Sequence, residues 1–288
     1  MSGSLTGVAT VFRRELATVV RTPGYGVLAV GLLVAVGGLL AAGGGGATGF
    51  VPAVVDLLLP TEALVPIVAV VLGYRALLAD GASGELAVIR TYPVRIGEYV
   101  VGVLLARTVA FVGVVGVPYA LVGVGVWLTA APDTGIFATH AGIDSPFLYL
   151  RFLAFVLLFG AAYVSLAAAV SALAASRRSA IALGVLALVA GVLGGDLLLL
   201  RSLGSGASPA TIPGSLAMTP NGAFRGLVFE HVIGVAFAPE GGFVSTTRAL
   251  GSLVGWTLFG AVVSGAALAY GRRVDAAIER VRNGIGDL

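Results

Sequence analysis

Six long apolar segments, separated by polar stretches, set the pattern of this chain. They cover residues 24–42, 54–78, 100–129, 147–174, 181–200 and 249–270. A helix of about 20 apolar residues crosses the hydrocarbon core of a bilayer, so each segment is long enough to span it. The pattern predicts an all-α polytopic membrane protein with six transmembrane helices, which form a single membrane domain over residues 1–288.

Composition supports a membrane protein and removes several enzyme classes. Hydrophobic residues make up 58% of the chain and its mean hydropathy is +1.04, whereas a soluble domain has about 45–50% apolar residues. All 17 basic residues are arginine, so the chain lacks the lysine of a Walker A loop or a Schiff base. It contains no cysteine, which excludes disulfides and thiolate metal sites. We therefore predict no catalytic residues, no cofactor and no bound metal, and the dispersed arginines predict no nucleic-acid partner.

The arginines fall mainly on one side of the predicted topology. An even number of spans places both termini on the same side, and most arginines lie there: Arg13, Arg14, Arg21, Arg75, Arg90, Arg95, Arg107, Arg177, Arg178, Arg272, Arg273, Arg280 and Arg282. The others lie opposite: Arg151, Arg201, Arg225 and Arg248. Because cytoplasmic loops are enriched in basic residues, we predict a multi-pass protein of the cell membrane with cytoplasmic N- and C-termini.

The polar passage between the second and third segments, residues 80–98, carries a helix signal of its own. Its charged residues are Asp80, Glu85, Arg90, Arg95 and Glu98, in a chain that is only 11% charged. Ser83 can cap a helix whose first turn carries Glu85, where a negative charge suits the exposed N–H groups. Leu86 and Ile89 then share one face, and Tyr92-Pro93 ends the helix. The pattern predicts a small amphipathic helix outside the bilayer, which offers a soluble partner a rigid surface.

These residues also carry a resemblance to a known family. An apolar helix ends in LGYRAL (residues 72–77) and is followed by Ser83-Gly84-Glu85-Leu86, Tyr92-Pro93-Val94-Arg95 and Gly102. This order resembles the ABC-2 class of ABC-transporter permeases, and within that class it is most similar to the permease used in maturation of nitrous-oxide reductase. The chain departs from the pattern at Val103, where the family usually has a basic residue after the glycine of the third helix.

The resemblance implies a coupling helix that binds the ATP-hydrolysing subunit of a transporter. The residues expected to contact that subunit are Asp80, Ser83, Glu85, Leu86, Ile89, Arg90 and Arg95. It also implies a pair of membrane subunits with two copies of a separate ABC ATPase, whose closure on ATP tilts the second and third spans and exports a substrate. The sequence leaves open the substrate and whether the second membrane subunit is a copy of this chain. It also leaves open whether the output is transport or mechanical force on a partner protein outside the membrane.

Residues 5–20 are typical of an amphipathic helix. Apolar side chains recur at helical spacing, with Arg13, Arg14 and Glu15 turned away: Leu5, Val8, Ala9, Phe12, Leu16 and Val19. We expect this helix to lie along the inner membrane surface, with or without contact to a partner. A twin-arginine export signal is the alternative for Arg13-Arg14, but Glu15, Arg21 and Pro23 come before the first apolar run.

Glu62 is the candidate for a translocation path, because a charge left in lipid is costly. It lies thirteen residues before Arg75, about 20 Å along a helix and beyond the bilayer midplane. Pro60 and Pro66 flank it and free backbone carbonyls that need other partners. We expect Glu62 to face a hydrated path or a subunit interface; the alternative is a carboxylate at the outer boundary.

The other charges within the apolar segments have simpler interpretations. Arg75 and Arg107 lie near the cytoplasmic ends of their helices, so we expect them to snorkel into water. Asp56 and Asp196 lie near the outer boundary, where we expect hydration.

Residues 201–248 form the longest polar excursion, with a moderately apolar piece at 222–237. Within it, Thr219-Pro220-Asn221-Gly222-Ala223-Phe224-Arg225 resembles a segment that forms re-entrant gate helices in the permease family. The resemblance implies that the excursion folds back into the outer leaflet, and an ordinary surface loop is the alternative.

Other functions compete with the permease. Gly81-Ala82-Ser83-Gly84 matches the GxSG pattern of rhomboid proteases. Ser83, however, lies in a charged loop on the predicted cytoplasmic side, whereas both histidines lie in loops on the other side of the membrane. No histidine is therefore within reach to act as the base. His140 and His231 could bind a metal together outside the membrane, although two lone loop histidines are more often solvated. A membrane scaffold or insertion module is the remaining alternative, which the absence of an ATPase partner would favour.

Overall fold

A computed structural model describes residues 2–78, 95–130, 144–205, 217–237 and 242–286, and all regular structure in these ranges is helical. The helices are α1 (Ser2–Arg21), α2 (Pro23–Gly43), α3 (Phe50–Gly73), α4 (Ile96–Phe111), α5 (Val117–Thr129), α6 (Pro146–Leu173), α7 (Arg177–Gly204), α8 (Pro220–Val228), α9 (Gly234–Phe237) and α10 (Thr246–Gly286). π-Helical turns join α4 to α5 (Val112–Gly116) and α8 to α9 (Phe229–Ile233).

Within the described ranges, six helices are long and apolar enough to cross a membrane. They are Pro23–Gly43, Phe50–Gly73, Ile96–Thr129, Pro146–Leu173, Arg177–Arg201 and Thr246–Tyr270. This finding confirms the predicted all-α protein with six spans. The predicted spans and these helices overlap throughout, and their ends differ by a few residues.

One difference from the predicted spans has a clear physical cause. α3 begins at Phe50 instead of residue 54. The Asp144 carboxylate accepts hydrogen bonds from the backbone N–H groups of Phe50 at 2.6 Å and Val51 at 3.1 Å. The first N–H groups of a helix have no partner within the helix, so a carboxylate there stabilises the additional turn. Asp144 lies two residues before α6, next to its N-cap Ser145, and this cap therefore joins α3 to the start of α6.

The core of the protein is built around α6, which packs along both α3 and α10. Phe152 and Phe159 of α6 are fully buried, and the Phe159 ring stacks on Phe224 of α8 with ring centroids 4.6 Å apart. The outer helices are buried much less: 6% of the α7 span lies inside the protein, compared with 56% of the α6 span. Their exposed valine and leucine side chains suit contact with lipid.

α1 packs closely on α4, and this contact corrects one prediction. A Cβ on Gly102 would lie 2.7 Å from the Val11 Cβ, so only glycine permits this approach. Among the side chains of α1 whose burial is described, the buried ones are Val11, Glu15 and Val19, whereas Glu15 was predicted to turn away with Arg13 and Arg14. Residues four apart share a helix face, so Glu15 follows its two valine neighbours toward α4.

Candidate functional site

Glu62 of α3 lies inside the protein, where Arg225 of α8 binds it. The Glu62 side chain is 5% exposed. Arg225 Nε donates to Glu62 Oε1 at 2.7 Å, and Arg225 Nη2 donates to Oε2. Two parallel N–H···O bonds are the strongest arrangement for a guanidinium and a carboxylate. The pair satisfies a buried charge that the apolar surroundings would otherwise penalise.

Arg225 also binds Asp196 of α7, so one guanidinium joins three helices. Its Nη1 donates to Asp196 Oδ1 at 3.0 Å, and its Nη2 donates to Oδ2 at 3.1 Å. The Asp196 side chain is 40% exposed and the Arg225 side chain 24%. Asp196 is therefore not simply hydrated, as predicted, but paired on one side and accessible on the other. We call Glu62, Asp196 and Arg225 the ionic cluster.

A missing backbone hydrogen bond in α3 allows a second contact with α8. Pro66 has no N–H group, so the Glu62 carbonyl lacks the donor that a helix normally places four residues later. Asn221 Nδ2 donates to this carbonyl at 3.2 Å. The Tyr163 hydroxyl of α6 in turn donates to Asn221 Oδ1. The proline predicted a free carbonyl, and α8 supplies its partner.

The first turn of α8 is fixed by its own sequence and by α7. Thr219 is the N-cap: its Oγ1 accepts from the Gly222 N–H at 3.1 Å, and Pro220 suits the first helical position. A Cβ on Gly195 would lie 2.8 Å from Thr219 Oγ1, so α7 passes this turn at the closest approach that glycine allows. The segment that resembles a re-entrant gate is thus a helix packed against α3, α6 and α7.

A second buried ion pair connects α1 to α4. Arg107 Nη2 donates to Glu15 Oε2 at 2.9 Å, and Arg107 Nη1 donates to the Tyr25 hydroxyl at 2.7 Å. Both charged side chains are nearly enclosed, at 11% exposed for Arg107 and 5% for Glu15. The prediction that Arg107 snorkels into water is therefore wrong, because Glu15 on the facing helix supplies a nearer partner.

Most of the predicted coupling residues lie outside the described ranges: Asp80, Ser83, Glu85, Leu86, Ile89 and Arg90. Arg95 is described as the N-cap residue of α4, and its N–H donates to Glu98 Oε2 at 3.1 Å. On the other flank, Ser171 Oγ accepts from the N–H groups of Leu77 at 3.1 Å and Leu78 at 3.0 Å. The backbone on both sides of the predicted coupling segment is therefore held by hydrogen bonds to side chains.

The remaining candidate residues have separate positions. Arg75 is exposed, in agreement with snorkelling. Asp56 accepts from the Gly45 N–H at 2.8 Å, so it stabilises the turn before α3 and is not merely hydrated. His231 Nε2 lies 2.8 Å from Thr246 Oγ1, while His140 is outside the described ranges. Among the described residues, no group of three or more His, Cys, Asp or Glu could hold a metal ion.

Glu230 stabilises the turn that leads into α10. Its carboxylate accepts from the backbone N–H groups of Gly242 at 3.0 Å, Phe243 at 2.7 Å and Val244 at 3.3 Å. Partial burial opposes ionisation, but these N–H groups and His231 outweigh it and lower the pKa of Glu230 below its usual value. Glu230 is therefore ionised in the folded protein at neutral pH.

Sequence reasoning identified Glu62 but missed its partner. Arg225 was counted only among the arginines opposite the termini, and Asp196 only as a boundary residue. A signal was present, since a buried carboxylate requires a cation and Arg225 lies in the segment resembling a re-entrant helix. For the Glu15–Arg107 pair, the position of Glu15 four residues from both Val11 and Val19 was the available signal.

The comparisons with known proteins place these observations in a family. No family model matches the chain. The probable ABC transporter permease protein NosY of Pseudomonas aeruginosa is 30% identical over 250 residues, which cover 82% of this chain and 86% of that protein. The chain belongs to the ABC-transporter permeases. This result confirms the resemblance to ABC-transporter permeases, and to NosY in particular.

Membership in this family makes the chain a multi-pass permease subunit, in agreement with its six candidate spans. An ABC permease works with an ATPase subunit, which accounts for the absence of a Walker A lysine here. The role of Glu62 in a translocation path stays a prediction.

Proposed function

We propose that this permease is the membrane half of an exporter of the ABC-2 type, driven by two copies of a separate ATPase. The observation that carries the proposal is the similarity to a probable ABC transporter permease over 82% of the chain. In the proposed assembly two membrane subunits, expected to be copies of this chain, form the path between them. The permease itself contributes no catalytic residue, and ATP hydrolysis belongs to the partner.

In this proposal the passage 80–98 carries the coupling helix, which Ser83 begins and Tyr92-Pro93 ends, and the passage lies in the cytoplasm with both termini. The arginine distribution supports this orientation. The flanks support the mechanical role, since Ser171 of α6 holds the backbone of Leu77 and Leu78 just before the passage. Near the other end of the passage, Arg95 is the N-cap residue of α4. A push on the segment would therefore move α3 and α4, the second and third spans, instead of bending free chain. α1 packs on α4 and would move with it.

Glu62 is proposed to mark the path through the outer half of the membrane domain. The ionic cluster places two carboxylates and one guanidinium together, with Asp196 providing an accessible side. Charged groups within a membrane domain that face the bundle interior or water commonly mark an ion or substrate pathway. The exported substrate and any partner protein outside the membrane are not defined by these residues.

Co-purification in mild detergent tests the proposal. The tagged permease should retain an ABC ATPase, and combined charge reversal, Glu85→Arg with Arg90→Glu, should dissociate it or lower ATP hydrolysis without loss of membrane insertion. Arg177→Glu with Arg178→Glu, two exposed residues at the start of α7, is the matched control and should leave the complex intact. Absence of any ATPase from the wild-type preparation would instead support a membrane scaffold. Normal assembly and hydrolysis in the Glu85/Arg90 variant would show that another surface couples the subunits.

A further inference from the structure

The two halves of the ionic cluster differ in how easily they can separate. The Glu62–Arg225 contact is enclosed, since the Glu62 side chain is 5% exposed. The Asp196–Arg225 contact is open on one side, since the Asp196 side chain is 40% exposed. Water can replace the lost hydrogen bonds of an exposed carboxylate but has no access to a buried one. If the cluster opens, it therefore opens at Asp196.

Opening at Asp196 leaves no unpaired charge inside the protein. Arg225 keeps both hydrogen bonds to Glu62, so the remaining buried pair has no net charge. Asp196 lies five residues before the end of its candidate span at Arg201, so its negative charge is then close enough to the membrane boundary to be solvated. Glu62 thus acts as a permanent partner, and it holds Arg225 in place for the return of Asp196.

The packing of α7 also favours movement of this helix. It is the least enclosed of the candidate spans, with 6% of its window buried. A small apolar cavity of ≈ 20 Å³ lies beside its N-terminal half, between its contacts with α3 and α6, with Val70, Leu166, Gly184 and Leu188 in its lining. Interiors normally pack without such gaps, so the contact of α7 with α3 and α6 is less completely filled than the core around α6.

We propose that α7 moves relative to the rest of the permease during the transport cycle and that the Asp196–Arg225 contact is the latch that opens when it does. α8 stays with α3 and α6, to which Arg225, Asn221 and Phe224 hold it. Arg225 is then a positioning residue shared between a fixed and a moving helix. This inference rests on the proposed function, because ATP hydrolysis by the partner supplies the motion.

A disulfide between α7 and α8 tests the latch in a chain that has no cysteine of its own. A Cβ on Gly195 would lie 3.3 Å from the Thr219 Cβ, near the 3.5–4.5 Å range of natural disulfides. In the complex with its ATPase, oxidised Gly195→Cys/Thr219→Cys should lose ATP turnover and regain it on reduction. Gly226→Cys/Val244→Cys joins α8 to the residues before α10 and should hydrolyse ATP equally in both redox states. Full turnover with the Gly195–Thr219 disulfide formed would overturn the proposal.

A single thiol gives a second measurement that does not depend on the disulfide. Gly195→Cys keeps Asp196 and places its thiol against Thr219. It should react with a charged methanethiosulfonate reagent roughly tenfold faster with ATP and vanadate than without nucleotide, the change that a preference of about 1.4 kcal/mol between two states produces. Equal rates in both states would show that α7 stays in place and would overturn the proposal. Failure of the proposed function looks different, because then no ATPase co-purifies with the wild-type permease.

Discussion

Removal of the Glu15 carboxylate, by Glu15→Leu, should destabilise the permease more than any exposed change in α1. The substitution leaves the Arg107 guanidinium enclosed, with the Tyr25 hydroxyl as its described side-chain partner. Arg107 Nε is already buried without a hydrogen-bond partner. A buried charge that loses its counter-charge is penalised by its own desolvation, so the remaining half of the pair opposes folding.

The structure sets the size of this effect. Removing one partner of a buried ion pair costs about 3–5 kcal/mol. With 11% of its side chain exposed, Arg107 can shift partly toward water, which favours the lower end of that range. At roughly 2 °C per kcal/mol for a chain of this length, we expect the apparent melting temperature to fall by about 6 °C.

The double variant Glu15→Leu/Arg107→Leu distinguishes charge from packing. Replacing a buried ion pair by apolar residues is often neutral or stabilising, so the double variant should recover most of the loss caused by Glu15→Leu. Thermal unfolding in detergent, at one fixed scan rate for all variants, measures the difference. Arg13→Gln is the control, since Arg13 is exposed on the same helix and its change should stay within about 0.5 kcal/mol of wild type.

Two results would refute this reasoning. A Glu15→Leu variant as stable as Arg13→Gln would show that the Arg107 charge is solvated without its partner. A double variant less stable than the sum of both single variants would show that the contact acts through shape instead of charge.

Two further predictions concern topology and pH. Single cysteines at Ala82, Ser176 and Arg280 should resist an impermeant thiol reagent in intact cells, whereas those at Thr139 and Ser208 should react; opposite labelling at any two sites would overturn the orientation. The lowered pKa of Glu230 contributes stability that is complete above the pKa of the unfolded chain and is lost as pH falls through the folded pKa. Glu230→Gln should therefore melt lower than wild type at pH 7, and the difference should shrink below about pH 4.3; a difference that is constant with pH would contradict it.

The six spans could be predicted because the membrane requires them. A span is a local property, about 20 apolar residues in sequence, and backbone hydrogen bonds within each helix need no distant partner. The helix ends were less predictable where a distant residue sets them. Phe50 starts α3 because Asp144, 94 residues away, accepts its N–H group, and no local pattern contains that information.

The ionic cluster shows the same limit in the candidate site. Glu62 stood out because an isolated carboxylate in an apolar segment is costly wherever it lies. Its partner Arg225 is 163 residues away, so the pairing follows from how α8 folds back onto α3. Glu15 was assigned to the polar face because a charge is normally solvated, and packing on α4 reversed that assignment.

The polar contacts of α3 indicate which helices should move together with it. At its N-terminal end Asp144, which lies two residues before α6, accepts from Phe50 and Val51. Beyond its other end, Ser171 of α6 accepts from Leu77 and Leu78. Two attachments so far apart on one partner helix allow little relative rotation, so α3 and α6 should move as one body. α8 rests on both helices through Asn221, which binds the Glu62 carbonyl and the Tyr163 hydroxyl. Under the proposed function, force that enters at the end of α3 acts on α7 through their direct contact and through Arg225, the only described residue that forms ion pairs with both helices.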